Sequence, residues 1–263
     1  MHNIRRTFSV LAALVLSSNL LFGQLVVESG LSFRFNVPPG AEAQSIIRLF
    51  NAGSTPQKYH LVKMDVQSDC EHGYTYLPED SLAESNASWV SAERYFGELQ
   101  PGERTSIKVQ AVVPQEFNEA SARSCIMVES TASDSVPNEG SLNIKLRYAI
   151  GVLYRNPMLP GDVVLKAQRL DLDSNSGIWS LRYLNAGNVD RIVSSRVRVL
   201  DSNGRVVYSY DKSPAKGIVP NQCRTFEFAS RRPTSVAPGT YRLVVLSETD
   251  EGEKFGVTKE LIW

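Results

Sequence analysis

An alternating run in the middle of the chain constrains the fold more than any other stretch of the sequence. Apolar side chains occupy every second position, namely Leu142, Ile144, Leu146, Tyr148, Ile150, Val152 and Tyr154. Because successive side chains of a strand point to opposite faces, this period of two predicts a long β-strand with one apolar face. At the edge of a sheet, such a strand is either an aggregation hazard or a binding edge.

The run ends at Asn156-Pro157, near the middle of the chain. Proline has no N–H group for a ladder hydrogen bond, so the strand cannot continue beyond it. We therefore predict that the strand closes a first domain, residues 25–156, and that residues 157–161 form a short linker. A second proline in this linker restricts the angle to a second domain, residues 162–263.

The first 24 residues, 1–24, have the composition of a secretory signal peptide. Arg5 and Arg6 form a basic start, an apolar stretch follows, and a more polar segment ends near Gly23. The apolar stretch is too short for a membrane-spanning helix, and no later segment is long and apolar enough for one. We expect export, with no transmembrane segment in the mature chain.

The remaining sequence consists of short alternating runs separated by Gly, Pro, Asn, Asp and Ser, a pattern typical of β-sandwiches. Two echoes relate its halves. Residues 48–53 (RLFNAG) resemble 182–187 (RYLNAG), and residues 101–109 more loosely resemble 220–228. Convergent turn chemistry is the alternative explanation of so short a repeat. We predict an all-β protein with two β-sandwich domains in tandem.

The three cysteines are Cys70 and Cys125 in the first predicted domain and Cys223 in the second. In an oxidising compartment Cys70 and Cys125 are the candidate disulfide, which stabilises the domain by about 4 kcal/mol in the chain-entropy model. Cys223 is then a buried small side chain. With three cysteines the sequence leaves the other pairings open.

Composition and motifs exclude several classes of function. The 28 basic and 28 acidic residues balance, so there is no basic excess to bind nucleic acid. No phosphate-binding loop or nucleophile elbow is present, and the carboxylates are scattered, so we predict no enzyme, no cofactor and no small-molecule substrate. Cys70-Glu71-His72 supplies too few ligands for a closed metal site, and we predict none.

The junction strand, residues 144–157 (IKLRYAIGVLYRNP), resembles the end of the first domain of the periplasmic pilus chaperones. Residues 33–40 (FRFNVPPG) and 89–103 are similar to other parts of that domain, in the same order, so the resemblance covers about residues 31–157. It implies two immunoglobulin-like domains in an L-shaped arrangement. It also implies a client subunit that is completed by a strand lent from the chaperone.

By this resemblance the lent side chains are those of Leu142, Ile144 and Leu146. The alternative interpretation is that they face the core of their own domain. For the three apolar residues that follow in the same row, we favour the core interpretation; they are Tyr148, Ile150 and Val152.

The family also holds the subunit's C-terminal carboxylate with two basic residues between the domains. Arg34, on the opening strand, matches the first of them. The second is a lysine in the family, and its position here is Gly151, which has no side chain to bind with. Arg147 lies on the same strand face but about 13 Å further back. Arg155 matches a junction arginine that, in the family, pairs with acids across the domain interface. The candidates for a carboxylate anchor or an interdomain contact are therefore Arg34, Arg147 and Arg155.

The sequence therefore predicts a divergent periplasmic chaperone that binds and stabilises exported, pilin-like subunits by strand donation. An outer-membrane usher is the further partner that the resemblance implies, although Gly151 leaves its use open. The alternative is a structural or adhesive β-sandwich protein of the cell envelope, secreted or held at the cell surface.

Overall fold

The structure, a computed structural model, describes residues 25–71, 73–132, 146–173, 178–210, 212–229 and 236–262. The predicted signal peptide therefore lies outside the described residues. The described chain is built of β-strands, with a short 3₁₀ helix at Ala87–Trp89. None of its helical residues form a segment long and apolar enough to cross a membrane.

Ten strands form the part that we call the first domain. They are β1 (Leu25–Val27), β2 (Ser32–Asn36), β3 (Glu42–Asn51), β4 (Gln57–Asp69), β5 (Gly73–Pro78), β6 (Val90–Ala92), β7 (Phe96–Leu99), β8 (Arg104–Val112), β9 (Ser121–Ala132) and β10 (Arg147–Arg155). One sheet has the order β1-β3-β8-β6, and the larger sheet has the order β2-β10-β9-β4-β5, with β7 also paired to β4. Ile47, Ile107 and Val152 are among the side chains fully buried between the two sheets.

Eight strands form the second domain. They are β11 (Leu165–Asp173), β12 (Ile178–Asn185), β13 (Arg191–Leu200), β14 (Val206–Ser209), β15 (Lys216–Ile218), β16 (Cys223–Ala229), β17 (Thr240–Thr249) and β18 (Lys254–Ile262). Sheet β11-β12-β16 packs on sheet β14-β13-β17-β18, and β15 pairs with β13. Leu181, Phe226 and Val245 are fully buried in a core of their own. The predicted all-β architecture of two sandwiches is confirmed.

The two Asn-Ala-Gly turns found in the sequence have the same construction in both domains. Asn51 and Asn185 are completely buried, and the side-chain oxygen of each accepts a hydrogen bond from the N–H of the glycine two residues later. The backbone N–H of Asn51 donates to Glu103, and that of Asn185 donates to Gln222, at 3.0 and 3.1 Å. Each turn is therefore bonded to the second echo of its own domain, which gives the sequence repeat a shared structural role.

Candidate functional site

Side chains alternate along β10 between the core and a cleft that separates the two domains. Ile150, Val152 and Tyr154 are at most 1% exposed, and Tyr148 is half-buried against the same core, so the core interpretation of this row is confirmed. The opposite face carries Arg147, Ala149, Gly151, Leu153 and Arg155. Three of these residues, Ala149, Gly151 and Leu153, line the cleft.

The two edges of β10 differ. Along one edge, β9 pairs with the whole strand from Arg147 to Arg155. Along the other edge, β2 runs parallel to β10 but pairs only with Gly151 to Arg155. Within the part of the chain that the structure describes, residues 147–150 have no strand partner on this second side. Among the described residues, the larger sheet therefore has an open edge next to the cleft.

The residues that we predict to be donated to a subunit come just before this open edge in the sequence. Leu142 and Ile144 are outside the described residues. Leu146 is half-buried, and its carbonyl accepts a hydrogen bond from the N–H of Ser130 at 3.1 Å. Because Leu146 precedes Tyr148 by two positions, it continues the core-facing row. Its role in strand donation stays a prediction.

Arg34 projects from β2 toward the second domain, where two aspartates bind it. Its guanidinium contacts Asp190 at 3.2 Å and Asp250 at 3.0 Å. Burial raises the pKa of Asp190, and the positive charge of Arg34 partly offsets this effect. Both terminal nitrogens of Arg34 are thus bound within the chain, and its charge is already neutralised.

The other two arginine candidates have different surroundings. Arg155 binds Glu251 of the second domain at 2.5 Å, so it contributes to the contact between domains. Arg147 pairs with Glu129 of the neighbouring strand, and 66% of its side chain is exposed. Arg147 does not line the cleft, so the structure brings Arg34 and Arg155 to the interface and leaves Arg147 outside it.

Gly151 leaves an opening in the wall of the cleft. A Cβ atom built at this position meets its nearest neighbours, an oxygen of Leu31 and the Cβ of Ser32, at 3.9 Å. This is ordinary van der Waals contact, and the backbone of Gly151 does not require glycine. A Cβ atom therefore fits there, and the local packing does not require glycine at this position.

The predicted disulfide between Cys70 and Cys125 is wrong. Cys70 is bonded to Cys223 of the second domain, with their Cα atoms 5.0 Å apart, and Cys125 is a free, buried thiol. The register of β4 and β9 places Met64 opposite Cys125. Cys70 is six residues further along, about 20 Å away, which exceeds the reach of a disulfide. Burial raises the pKa of the Cys125 thiol to about 12.

Polar contacts surround the disulfide between the domains. The hydroxyl of Thr225 donates to the carbonyl of Cys70 at 2.7 Å, and the N–H of Ser68 donates to the side chain of Gln222 at 2.5 Å. The guanidinium of Arg224 lies over the ring of Tyr74, 3.9 Å from its centre. The disulfide is therefore one part of a broader interface at this end of the cleft.

Several residues at the site were not identified from the sequence, namely Asp190, Asp250, Glu251 and Cys223 as interdomain partners. Asp190 lies just before β13, and Asp250 and Glu251 lie in the turn between β17 and β18. None of these acids has a local sequence signature. The odd number of cysteines was the only sequence signal that Cys223 could take part in a disulfide, because the two cysteines of the first domain already offered a pair.

No protein-family model matches the sequence, and no curated protein matches it significantly. Solved structures do match. In the complex of the chaperone CsuC with the tip adhesion subunit CsuE, from the archaic chaperone-usher Csu pili of Acinetobacter baumannii, the matched chain has a TM-score of 0.50 and 10% identity. The match covers 90% of this chain and 98% of that chain.

Two further chaperones are similar over most of the chain. The class 5 fimbriae chaperone CfaA and the chaperone YadV have TM-scores of 0.48, with 13% and 14% identity. They cover 90% and 91% of this chain and 98% and 100% of their own chains. At such identities the likeness shows the fold alone. The predicted resemblance is confirmed at this level: the chain is a divergent protein with the two-domain β-sandwich fold of the fimbrial chaperones.

Proposed function

We propose that the protein is a periplasmic chaperone that binds exported, pilin-like subunits by adding a strand along β10. The observation that carries this proposal is the open edge of β10 from Arg147 to Ile150. An unpaired strand edge offers main-chain donors and acceptors to another chain. The three structures described above are of chaperones, and one of them is a complex with a tip adhesion subunit.

Backbone geometry identifies the groups that are available on this edge. The N–H of Gly151 donates to the carbonyl of Leu31 at 2.9 Å, so it points away from β9. Backbone groups alternate sides along a strand, and those of Arg147 and Ala149 therefore point to the same, uncovered side. A subunit strand placed there would continue the line along which β2 already pairs.

Side chains before β10 supply the second part of the proposal. Leu142, Ile144 and Leu146 would enter an apolar groove of the subunit, while the backbone of β10 extends its sheet. Burying three such side chains provides about 5–8 kcal/mol of gross driving force before the costs of association. Export by the predicted signal peptide and transfer of the subunit to an outer-membrane usher belong to the same proposal.

Substitution at Ala149 tests the open edge directly. Ala149→Pro removes an N–H group that makes no bond to β9, whereas Ala149→Val keeps it and favours the strand. Each variant is co-expressed with candidate pilin-like subunits, and complexes are quantified after purification. We expect the proline variant to bind at least about tenfold more weakly than the valine variant, which keeps the N–H group.

A folding control makes the experiment decisive. Near-ultraviolet circular dichroism should show that both Ala149 variants retain the native tertiary structure. Ile144→Asp provides a separate arm, since it leaves the backbone edge intact and places a charge where the subunit groove is expected. Normal subunit binding by both Ala149→Pro and Ile144→Asp would overturn strand addition at β10.

A further inference from the structure

The cleft between the domains contains an apolar cavity. It has a volume of about 280 Å³ and lies between the larger sheet of the first domain and strands β13 and β15 of the second. Leu31, Tyr74, Tyr76 and Ile192 line it, and each is more than a third exposed. Large apolar side chains that gather around one concave site, rather than being scattered singly, are typical of a binding surface.

The charged side chains that line this cavity already have ion-pair partners within the chain. Arg34 is held by Asp190 and Asp250, as described above. Arg191, the other arginine in the lining, is 2% exposed and binds Glu251 and Glu253, each at 2.9 Å. A carboxylate that entered the cleft would have to displace one of these acids and be desolvated as well. The cavity therefore favours an uncharged occupant.

The position of the cavity indicates which chain would reach it. Ala149, Gly151 and Leu153 of β10 form part of its wall. A strand paired with the open edge of β10 would pass the mouth of the cavity. We propose that the cleft binds an uncharged, apolar segment of the partner subunit, and not a carboxylate. The identity of the partner rests on the proposed function, whereas the preference of the cleft for a neutral group does not.

Two fluorescent probes test this preference on the full chain. N-phenyl-1-naphthylamine is neutral, and 8-anilino-1-naphthalenesulfonate has the same aromatic scaffold with an anionic sulfonate. We expect the neutral probe to bind at least about tenfold more tightly. Ile192→Asp should weaken its binding by a similar factor, because it places a charge in the wall. Val206→Asp is the matched control, since Val206 is 51% exposed but lies on β14, outside the cavity.

A second variant removes the carboxylates that neutralise Arg34. In the double variant Asp190→Asn, Asp250→Asn, the amides retain oxygen acceptors, including the one that accepts from the N–H of Ile192. Arg34 loses both carboxylate partners. We expect the preference to change in favour of the anionic probe by at least about tenfold.

Two results would overturn the proposal. One is neutral-probe binding that Ile192→Asp leaves unchanged. The other is tighter binding of the anionic probe to the unmodified cleft, weakened by Ile192→Asp. These outcomes are independent of the subunit experiment. If probes bind as expected but neither Ala149→Pro nor Ile144→Asp affects subunit binding, strand addition fails and the apolar cleft remains.

Discussion

The two ends of the cleft join the domains by different chemistry. At one end, the disulfide between Cys70 and Cys223 is covalent, and it lies among hydrogen bonds and one long, exposed ion pair between Arg182 and Glu71 at 3.7 Å. At the other end, Arg34 and Arg155 bind acids of the second domain. The ionic end neutralises Arg34, the one cation that β2 contributes to the lining of the cleft. We infer that a contact between domains can change the charge that a neighbouring cleft offers to a ligand.

The largest expected effect comes from breaking the covalent end. Cys223→Ser removes a link between residues 153 positions apart, which contributes up to about 5 kcal/mol in the chain-entropy model. We expect a lower unfolding midpoint in denaturant, equal to that of the reduced protein. High salt should not mimic this loss, because the bond is not ionic.

Counting thiols provides the control for the covalent end. The denatured, unreduced protein should contain one free thiol, that of Cys125, and three after reduction. Cys125→Ala should leave the disulfide intact and remove the free thiol. A peptide map with Cys70 linked to Cys125 would contradict the pairing.

An intermediate effect is expected from breaking the ionic end. Arg34→Met removes two ion pairs, but 35% of the arginine side chain is exposed, so we expect a loss below about 1 kcal/mol. The variant should also raise the pKa of Asp190 further, because burial remains and the offsetting charge is gone. A carboxyl group with a raised pKa favours the folded state when protonated, so the variant should lose stability as pH rises through that window.

Denaturant titrations at several values of pH and salt measure this effect. High salt should weaken the unmodified protein and change Arg34→Met less, since the ion pairs that salt screens are absent there. An equal salt response in both proteins would show that the ionic end does not stabilise the contact.

The last expected effect concerns an acid behind the ionic end. Burial acts to raise the pKa of Glu253, but hydrogen bonds from Arg191 and Thr249 lower it to about 2, from an ordinary value of 4.5. Its stabilising contribution is present above pH 4.5 and is lost as pH falls toward about 2. Glu253→Gln should therefore reduce stability at neutral pH and flatten the acid limb, as followed by circular dichroism. An unchanged acid limb would contradict this assignment.

Local patterns in the sequence predicted the architecture well. The alternation along β10 identified Ile150 and Val152 as core residues, because strand periodicity depends on the residues themselves. The repeated Asn-Ala-Gly turns indicated related halves, and Asn51 and Asn185 have equivalent bonds. Both signals lie within a few residues of the structure that they predict.

Contacts between distant segments could not be predicted in the same way. The pairing of Cys70 depends on the register of β4 and on how closely β16 approaches it, and neither leaves a local pattern. The aspartates that bind Arg34 are 156 and 216 residues away in the chain. The sequence identified the arginine, but its neutralisation follows from the arrangement of two domains.

Amide hydrogen exchange of β10, with and without a bound subunit, tests strand addition most directly. In the free protein, the amides of Arg147 and Ala149 should exchange quickly, whereas that of Gly151 is protected by its bond to Leu31. Binding should slow the first two by at least about tenfold and change Gly151 little. Unchanged exchange at Arg147 and Ala149 in a saturated complex would contradict strand addition at this edge.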